Sequence, residues 1–403
     1  MKQTHHIGYV QTPSVKNLSN VKNALVENGL VPLTTPNEML PDAIEKGLKT
    51  YNKDFGMIHE GKYRIRYFDI DGTILKIEYV EDGGKLTPPA KTPNYDPDYL
   101  IFDEWNYDIE NYIVEQPTDV GATYKTVDDA TYMLCRFTTA TGLNPTLAIS
   151  GFTSIDWGDD IVNTSASHTY TKEGNYVIKI KGEFSTSTST SKYLLGSTTL
   201  MNALNKCYLS SKITLLSNYV FRYAKCLEVM SLPKTLTGIY NNVWETCYNL
   251  NGIVIPQNVT SLFSYSFSSR INFVCWNDKI KGISERLLDG NSIKDLIITN
   301  KMTNTGLYSC RSSYTKNLYL GKNLTYINEH SFENLLACQN IFISGNVPSI
   351  YSNSFTSSIL NTCTIWVKDE KLETAKTKAH WSNYASIMKP LSWYPHLTDP
   401  NAE

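Results

Sequence analysis

Residues 217–239 read SNYVFRYAKCLEVMSLPKTLTGI, and this stretch decides the fold because the chain repeats it in altered form. Residues 241–262 read NNVWETCYNLNGIVIPQNVTSL, and residues 264–283 read SYSFSSRINFVCWNDKIKGI. The first two stretches share an aromatic residue near the start and a later pattern of the type L-x-x-M/I-x-L/I-P. Alternating apolar residues predict a short strand with one buried face. Each stretch is therefore expected to be one strand-and-turn unit.

Aromatic anchors mark a fixed period. Phe221, Trp244 and Phe267 follow one another at intervals of 23 residues (244 − 221 = 23; 267 − 244 = 23). Phe332 and Phe355 repeat that interval (355 − 332 = 23). The 65 residues from Phe267 to Phe332 (332 − 267 = 65) leave room for three shorter units. A period in the twenties is typical of a leucine-rich-repeat solenoid, and we expect the five anchors to fill its interior.

The repeats at 201–362 resemble the surface-antigen (BspA-like) class of leucine-rich repeats, which occurs in bacteria and in their phages. The resemblance implies a solenoid that binds a partner and carries out no chemistry. The units between Arg270 and Leu320 depart most from the pattern. This irregular region is expected to be either a ligand-specific surface or the product of sequence drift.

Residues 364–391, TIWVKDEKLETAKTKAHWSNYASIMKPL, resemble the C-terminal cap of such arrays. The resemblance implies a last strand, a helix that carries Leu372 and Ala375, and a final strand. An open end of a solenoid exposes its core. We therefore expect the range 363–403 to close the array, with Trp381 and Trp393 in the core of the cap.

The segment 1–60 is predicted to be a small helical module. Leu18, Val21 and Leu25 form an i, i+3, i+7 stripe, which is the spacing of one helix face. Residues 20–47, NVKNALVENGLVPLTTPNEMLPDAIEKG, resemble the N-terminal segment of many phage tail and fibre proteins. The resemblance implies an anchor to a particle, and the alternative is an ordinary helical hairpin linker. The first residues contain no apolar secretory signal, so we expect either that a leader has been trimmed or that the protein leaves the cell by another route, such as inside a virion released by lysis.

The range 61–122 alternates between apolar and polar residues, as β-strands do. The run from Tyr63 to Tyr67 predicts a strand with one face in water, and Asp71-Gly72 predicts a hairpin turn. Residues 63–106, YRIRYFDIDGTILKIEYVEDGGKLTPPAKTPNYDPDYLIFDEWN, resemble the internalin-B-repeat type of bacterial surface protein. The resemblance implies a β-grasp-like domain.

Phe68 to Thr73, FDIDGT, also match the first motif of haloacid-dehalogenase-type phosphatases. In that family Asp69 would be the nucleophile and Asp71 the acid/base, with magnesium as the cofactor. The chemistry needs a buried parallel strand before the first Asp, which reads as a continuous apolar run, whereas residues 63–67 alternate. A phosphatase therefore remains a distant alternative, and we expect no catalytic residue, no cofactor and no metal.

The range 123–185 predicts a second β domain. Trp157-Gly158-Asp159, followed by His168 and by Gly174-Asn175-Tyr176, resembles the pattern of the polycystic-kidney-disease (PKD) type β-sandwich. The resemblance implies that Trp157 lies between two sheets, that Gly158 permits a tight turn and that His168 binds an Asp side chain. The Ser/Thr-rich range 186–200 is predicted to be a linker.

The composition favours binding and structure over chemistry. A chain of 403 residues predicts two to four domains, and a net charge of −2 with 19% charged residues excludes a strong field for nucleic acid. No apolar run is long enough for membrane insertion, and no GxSxG, HExxH or P-loop motif occurs. The eight cysteines lack a CxxC pair, so we expect buried free thiols.

Together these patterns predict a multidomain, mainly β, non-enzymatic protein with a capped solenoid. The expected function is that of a structural and adhesive virion protein of a tailed phage, as a head fibre, tail fibre or capsid decoration. Its segment 1–60 would contact other virion proteins, and its solenoid would bind a host-surface glycan or protein, in a homo-oligomer on the outside of the particle. The alternative is an adhesin on a bacterial cell surface.

Overall fold

The computed structural model describes residues 56–185, 195–267 and 270–394, and this part of the chain consists mainly of β-strands. The predicted helical stripe of Leu18, Val21 and Leu25 lies outside the described residues. Five strands form a mixed sheet at the start: β1 (Ile58–His59), β2 (Lys62–Phe68), β3 (Ile74–Val80), β4 (Leu100–Trp105) and β5 (Thr118–Thr126). We call residues 56–126 the mixed-sheet module.

The mixed-sheet module has the strand order β3-β2-β5-β4. β2 and β5 pair in parallel at its centre, whereas β3 and β4 are antiparallel edge strands. β1 pairs with the start of β2. Strand β5 runs across the predicted boundary between residues 122 and 123, since its first four residues pair with β2 and its last five with β4. Residues 56–126 therefore form one structural unit.

Four further strands form an antiparallel sheet in the order β6-β9-β7-β8: β6 (Thr131–Phe137), β7 (Ser150–Asp156), β8 (Val162–Asn163) and β9 (Gly174–Ser185). A sandwich needs two sheets, but the described residues of this region form one. The layer opposite it is held by single bridges, Thr146 to Ser167 and Leu147 to Leu195. Trp157 is fully buried, and Gly158 has a φ of +78°, as a tight turn requires.

Helix α1 (Thr198–Ala203) lies partly inside the predicted linker and is capped by Ser197, whose side chain accepts from Leu200 N. It leads into strand β10 (Leu204–Tyr208). β10 pairs antiparallel with β6 and parallel with β12 (Val229–Ser231), the next strand of its own ladder. The antiparallel sheet and the solenoid therefore share a continuous sheet, and the open N-terminal end of the solenoid is covered.

Parallel strands line two sides of the solenoid in several short ladders. Its short strands are β11 (Leu215–Leu216), β13 (Gly238–Ile239), β15 (Ser261–Leu262), β17 (Gly282–Ile283), β19 (Asn304–Thr305), β21 (Tyr326–Ile327) and β23 (Ser349–Ile350). Its longer strands, after β10 and β12, are β14 (Gly252–Val254), β16 (Phe273–Cys275), β18 (Asp295–Ile298), β20 (Asn317–Leu320), β22 (Asn340–Ile343), β24 (Thr364–Val367) and β25 (Met388–Pro390). The register of the longer strands advances in parallel from β18 to β25.

Side chains alternate across the longer strands, as the period of two requires. Ile253, Leu318 and Ile365 point into the solenoid and belong to its core. Their neighbours Val254, Tyr319 and Trp366 point to the opposite face. We call that opposite face the long-strand face.

The C-terminal cap contains helix α2 (Leu372–Thr377) and a 3-10 helix at Trp381–Ile387, followed by β25. Trp381 is fully buried, and its indole nitrogen donates to Pro348 O at 2.7 Å. Trp393 was expected in the same core, and that prediction is wrong because its side chain is 69% exposed. It lies in the short 3-10 helix Leu391–Trp393, beyond the last strand.

Candidate binding surface

The five predicted anchors lie in the interior of the solenoid. Phe221, Trp244, Phe267 and Phe332 are fully buried, and Phe355 is almost so. The rings of Trp244 and Phe267 stack at 5.1 Å between centroids, and those of Phe332 and Phe355 at 5.2 Å. The anchors therefore hold consecutive repeats together and are not exposed to a ligand.

Leu288 and Cys310 fill the anchor position in the irregular repeats. They are fully buried and divide the interval from Phe267 to Phe332 into steps of 21, 22 and 22 residues (288 − 267, 310 − 288, 332 − 310). Neither residue is aromatic, so sequence inspection for aromatic anchors passed over them.

The mixed-sheet module covers the long-strand face. Phe68 stacks on Phe273 at 5.2 Å with nearly parallel planes, and both are buried. Further along the same face, Met57 and Ile58 pack in one cluster with Tyr319. The long-strand face is therefore an intramolecular interface along much of its length.

Charged side chains of β2 lie inside this interface. Arg66 donates to both carboxylate oxygens of Asp119 at 2.7 Å, and a third nitrogen lies 3.1 Å from Asp295. Arg64 lies 3.1 Å from the same Asp295 oxygen, and the side chains of Arg64 and Asp295 are only 1% and 2% exposed. The expectation that residues 63–67 have one face in water is wrong, because their polar face is buried against the solenoid.

Polar side chains on neighbouring strands support the buried Asp295. Asn317 donates to Asp295 at 2.6 Å, Asn340 donates to Asn317 at 2.8 Å, and the Trp366 indole donates to Asn340 at 2.8 Å. Every donor in this row points toward the Asp295 carboxylate. Burial alone would raise the pKa of Asp295, but Arg64, Arg66 and the Asn317 amide outweigh it, so the pKa lies below its ordinary value.

The irregular repeats carry several of the polar contacts to the mixed-sheet module. Asn106 donates to the carbonyl oxygens of Cys275 and Trp276 at 3.0 Å, and Asn300 N donates to Gln116. Asp295 lies in the same region. The departure from the repeat pattern between Arg270 and Leu320 therefore coincides with an intramolecular docking surface.

Among the residues that the structure describes, the turns that precede the anchors contribute nothing to the apolar clusters that join the module to the solenoid. Six residues there have φ between 50° and 66°, each two positions before an anchor position: Tyr219, Asn242, Tyr265, Arg286, Tyr308 and His330. Amides of consecutive turns bond across the repeats, for example Tyr219 N to Asn241 O and Phe221 N to Val243 O. This regular turn fixes its side chains in rows.

The rows form a surface of rings and charges that we call the turn ridge: Tyr219, Arg222, Tyr223, Glu245, Tyr265, Arg286, Asp289, Tyr308, Arg311, His330 and Glu333. Arg286 and Arg311 lie over the Tyr308 ring at 4.6 and 4.7 Å, and His330 stacks beside it at 4.7 Å. Arg311 also pairs with Asp289 at 2.8 Å. Each of these two arginine side chains is 30% exposed, so the ridge presents donors and rings at the surface.

A polar cavity of about 290 Å³ lies where the mixed-sheet module meets the solenoid. Asp108, Tyr112 and Glu115 line it from the module, and Asp278 and Lys301 line it from the repeats. The lining side chains offer hydrogen bonds of both kinds. Sequence analysis missed this cavity, because its walls come from segments distant in the chain.

The two aspartates of the phosphatase motif have structural partners. Asp69 is buried and accepts hydrogen bonds from Tyr124 OH at 2.7 Å and from Ile70 N at 2.8 Å, and burial raises its pKa. Asp71 accepts from Thr73 N in the hairpin turn. Among the described residues, no group of three or more His, Cys, Asp or Glu is arranged to hold a metal.

His168 ties a loop to the acidic turn, as the sequence predicts. Its Nε2 lies 2.8 Å from Asp159 Oδ2, and its ring stacks on Trp157 at 5.0 Å. Asp160, in the same turn, adopts a φ of +67°. Within the described ranges, no helix is long and apolar enough to cross a membrane.

The parallel ladders and the buried anchors define the second half of the chain as a leucine-rich-repeat solenoid. The family described as "BspA type Leucine rich repeat region" matches with six copies, over residues 195–315 and 270–384. Residues 195–384 therefore consist of BspA type leucine-rich repeats.

Two solved structures are similar to this chain, each at 13% sequence identity. One is a leucine-rich repeat protein from Bacteroides ovatus ATCC 8483, which covers 54% of this chain and 70% of its own, with a TM-score of 0.28. The other is a leucine rich cell surface protein from Faecalibacterium prausnitzii A2-165. The match covers 46% of this chain and 79% of the Faecalibacterium chain, with a TM-score of 0.24. A search of curated proteins returned no match.

Proposed function

We propose that this chain is a non-enzymatic adhesive protein displayed on a bacterial cell surface. The BspA type repeat array carries the proposal, because it supplies a long, rigid scaffold with a regular surface. The two aspartates of the phosphatase-like motif, Asp69 and Asp71, accept hydrogen bonds that hold the local structure together. The cell-surface setting is favoured because the repeat class is one of surface proteins.

The turn ridge is the proposed binding surface. Among the described residues, the mixed-sheet module occupies the long-strand face, so that face is not the one offered to a partner. Tyrosine rings and arginine donors at fixed spacing suit contacts to a glycan or to a polar protein surface. Many copies displayed on one cell or particle, or within a homo-oligomer, would bind at the same time. Their combined avidity would exceed the affinity of a single weak contact.

Binding of the fluorescently labelled full chain to an array of bacterial and host glycans, and to intact cells, tests this proposal. The variant Arg286→Asn/Tyr308→Asn removes one arginine and one ring from the ridge. It keeps the backbone conformation, because Asn242 already occupies the equivalent left-handed position. We expect at least a tenfold loss of binding, which corresponds to about 1.4 kcal/mol.

Tyr314→Asn is the matched control for this variant, since Tyr314 is 57% exposed and lies off the ridge. It is expected to bind like the parent protein. Equal binding by the ridge variant and the control would contradict the role of the ridge. Failure of the parent protein to bind any glycan or cell would contradict the adhesive function itself.

A virion protein of a tailed phage is the second candidate, favoured by the resemblance of residues 20–47 to phage fibre proteins. In that setting the segment 1–60 would anchor the chain to other virion proteins. Labelled antibodies against the chain distinguish the settings, since they would decorate intact cells in one case and purified particles in the other. Normal incorporation of a chain lacking residues 1–50 would contradict the anchor.

The finer domain assignments are likewise proposals. The strand order β3-β2-β5-β4 with a parallel central pair supports a β-grasp-like domain at 61–122. The buried Trp157 and the His168–Asp159 contact support a PKD-like module at 123–185.

A further inference from the structure

Two cysteines of neighbouring repeats meet near the C-terminal end of the solenoid. The Sγ atoms of Cys338 and Cys363 are 3.6 Å apart, and the residues are 0% and 6% exposed. Cys338 lies just before β22 and Cys363 just before β24, which are adjacent strands. Thr364 N donates to Gln339 O at 2.9 Å, so the two backbones are already hydrogen-bonded beside the thiols.

We propose that Cys338 and Cys363 form a disulfide when the chain folds in the presence of a disulfide oxidant. A disulfide needs sulfur atoms about 2.05 Å apart and Cα atoms about 4.4–6.8 Å apart. Adjacent strands lie about 4.8 Å apart, so the backbone spacing suits the bond. The two side chains have to close a gap of about 1.5 Å between the sulfur atoms, the difference from the disulfide length.

The oxidant in this proposal is a small disulfide such as oxidised glutathione. The thiolate of Cys363 attacks one glutathione sulfur, forms a mixed disulfide and releases one glutathione thiol. The sulfur of Cys338 then attacks Cys363 and releases the second glutathione thiol. Two protons and two electrons leave the cysteines, and one glutathione disulfide becomes two thiols.

The bond is expected to form during folding and not in the finished solenoid. The hydrogen bond with Cys338, together with burial, raises the pKa of Cys363 in the folded chain. The reactive thiolate is therefore scarce there, and access for the oxidant is narrow. In the unfolded chain both restrictions are absent.

The disulfide would fasten the last aromatic-anchored repeat to the cap. It closes a loop of 25 residues (363 − 338 = 25), which includes the anchor Phe355. A stacked repeat contacts only its neighbours, so the end of an array is where local opening begins. A covalent link there is expected to oppose that opening.

Refolding of the full chain from urea in a mixture of oxidised and reduced glutathione tests the proposal. Free thiols are alkylated, and the protein is digested with trypsin without reduction. No Lys or Arg lies between Lys322 and Lys368, so both cysteines remain in one peptide, 323–368, which contains no other Cys. We expect this peptide to lack alkyl groups and to weigh two hydrogen atoms less than the reduced form.

Two variants complete the test. Cys363→Ser should prevent the bond, whereas Cys247→Ser, at a buried thiol of another repeat, should leave it in place. The oxidised parent protein should unfold at a higher temperature than its reduced form, and Cys363→Ser should show no such difference. Alkylation of both cysteines in the refolded parent, or a lower unfolding temperature in its oxidised form, would overturn the proposal.

Discussion

At the scale of single residues, Asp295 is a buried charge in the interface between the mixed-sheet module and the solenoid. It lies on the solenoid, yet its charge is balanced by Arg64 and Arg66 of β2. Its nearest arginine nitrogens come from residues more than 200 positions earlier in the chain. A buried ion pair adds little net stability, but removal of one partner leaves charges without compensation.

The substitution Asp295→Asn is therefore expected to lower the free energy of unfolding by about 3–5 kcal/mol. Arg64 and Arg66 would then lose the carboxylate that they share. Urea unfolding followed by circular dichroism measures the loss. Asp289→Asn is the control, because Asp289 pairs with the partly exposed Arg311 on the turn ridge, where a pair contributes about 0–1 kcal/mol. Equal effects of the two substitutions would contradict the buried cluster.

Acid is expected to weaken the contact between the mixed-sheet module and the solenoid, because the Asp295 carboxylate becomes protonated. The pKa of Asp295 is lower in the folded chain than its ordinary value of 3.8, so the unfolded state binds more protons at acidic pH. Its stabilisation is complete above that ordinary value and is lost as the pH falls through the folded pKa. Unfolding free energies measured from neutral pH down to acid should fall in this window, and Asp295→Asn should flatten that part of the curve. The same acid dependence in the variant would assign it to other groups.

At the scale of elements, β5 is the strand on which module and solenoid meet most closely. A Cβ added at Gly121 would lie 2.4 Å from a Val254 methyl group on the long-strand face. Two carbon atoms that are not bonded to each other cannot lie so close, so β5 approaches the solenoid only because Gly121 has no side chain.

Gly121→Ala is expected to destabilise the full chain by about 1–3 kcal/mol, the usual cost of overpacking. Val254→Ala removes the methyl groups that the new side chain meets, so the double variant should recover part of that loss. Urea unfolding of the two single variants and the double variant forms a cycle that measures the coupling. A double variant whose losses simply add would show that the two positions do not touch.

The elements differ in how far the sequence predicts them. The repeat period and the anchors are local signals, and the fully buried Trp244 and Phe267 lie where the 23-residue interval predicts. The burial of Arg64 and Arg66 has no signal in the sequence around them. An alternating strand reads as half in water, and only a partner far along the chain shows that the polar face is covered. The turn ridge has a signal that was overlooked, namely Tyr, Asn, Arg or His two positions before each anchor position.

At the scale of the whole molecule, the mixed-sheet module acts as a cover for the solenoid. The covered face carries large apolar residues, among them Phe273, Ile297 and Phe342, all at most 5% exposed. A solenoid without the cover would present them as a contiguous apolar patch, which favours association.

A fragment of residues 127–394, which keeps β6 paired with β10, is therefore expected to self-associate and to bind a hydrophobic dye, whereas the full chain should do neither. Light scattering and dye fluorescence measure the two effects. Phe273→Lys/Phe342→Lys in the fragment should restore solubility if the exposed face is the cause. A monomeric, dye-free fragment would show that the cover is dispensable.

The position of the chain's described ends has a mechanical consequence. Ile58 packs in the same cluster as Tyr394, and a Cβ on Gly56 would lie 3.2 Å from the Tyr394 hydroxyl. A tether that enters before Gly56 and one that leaves after Tyr394 would therefore pull at the same corner of the molecule. Tension between the tether that enters before Gly56 and a partner held on the turn ridge would load the contact between the mixed-sheet module and the solenoid first. The repeats would unfold one after another only after the module had separated from the solenoid.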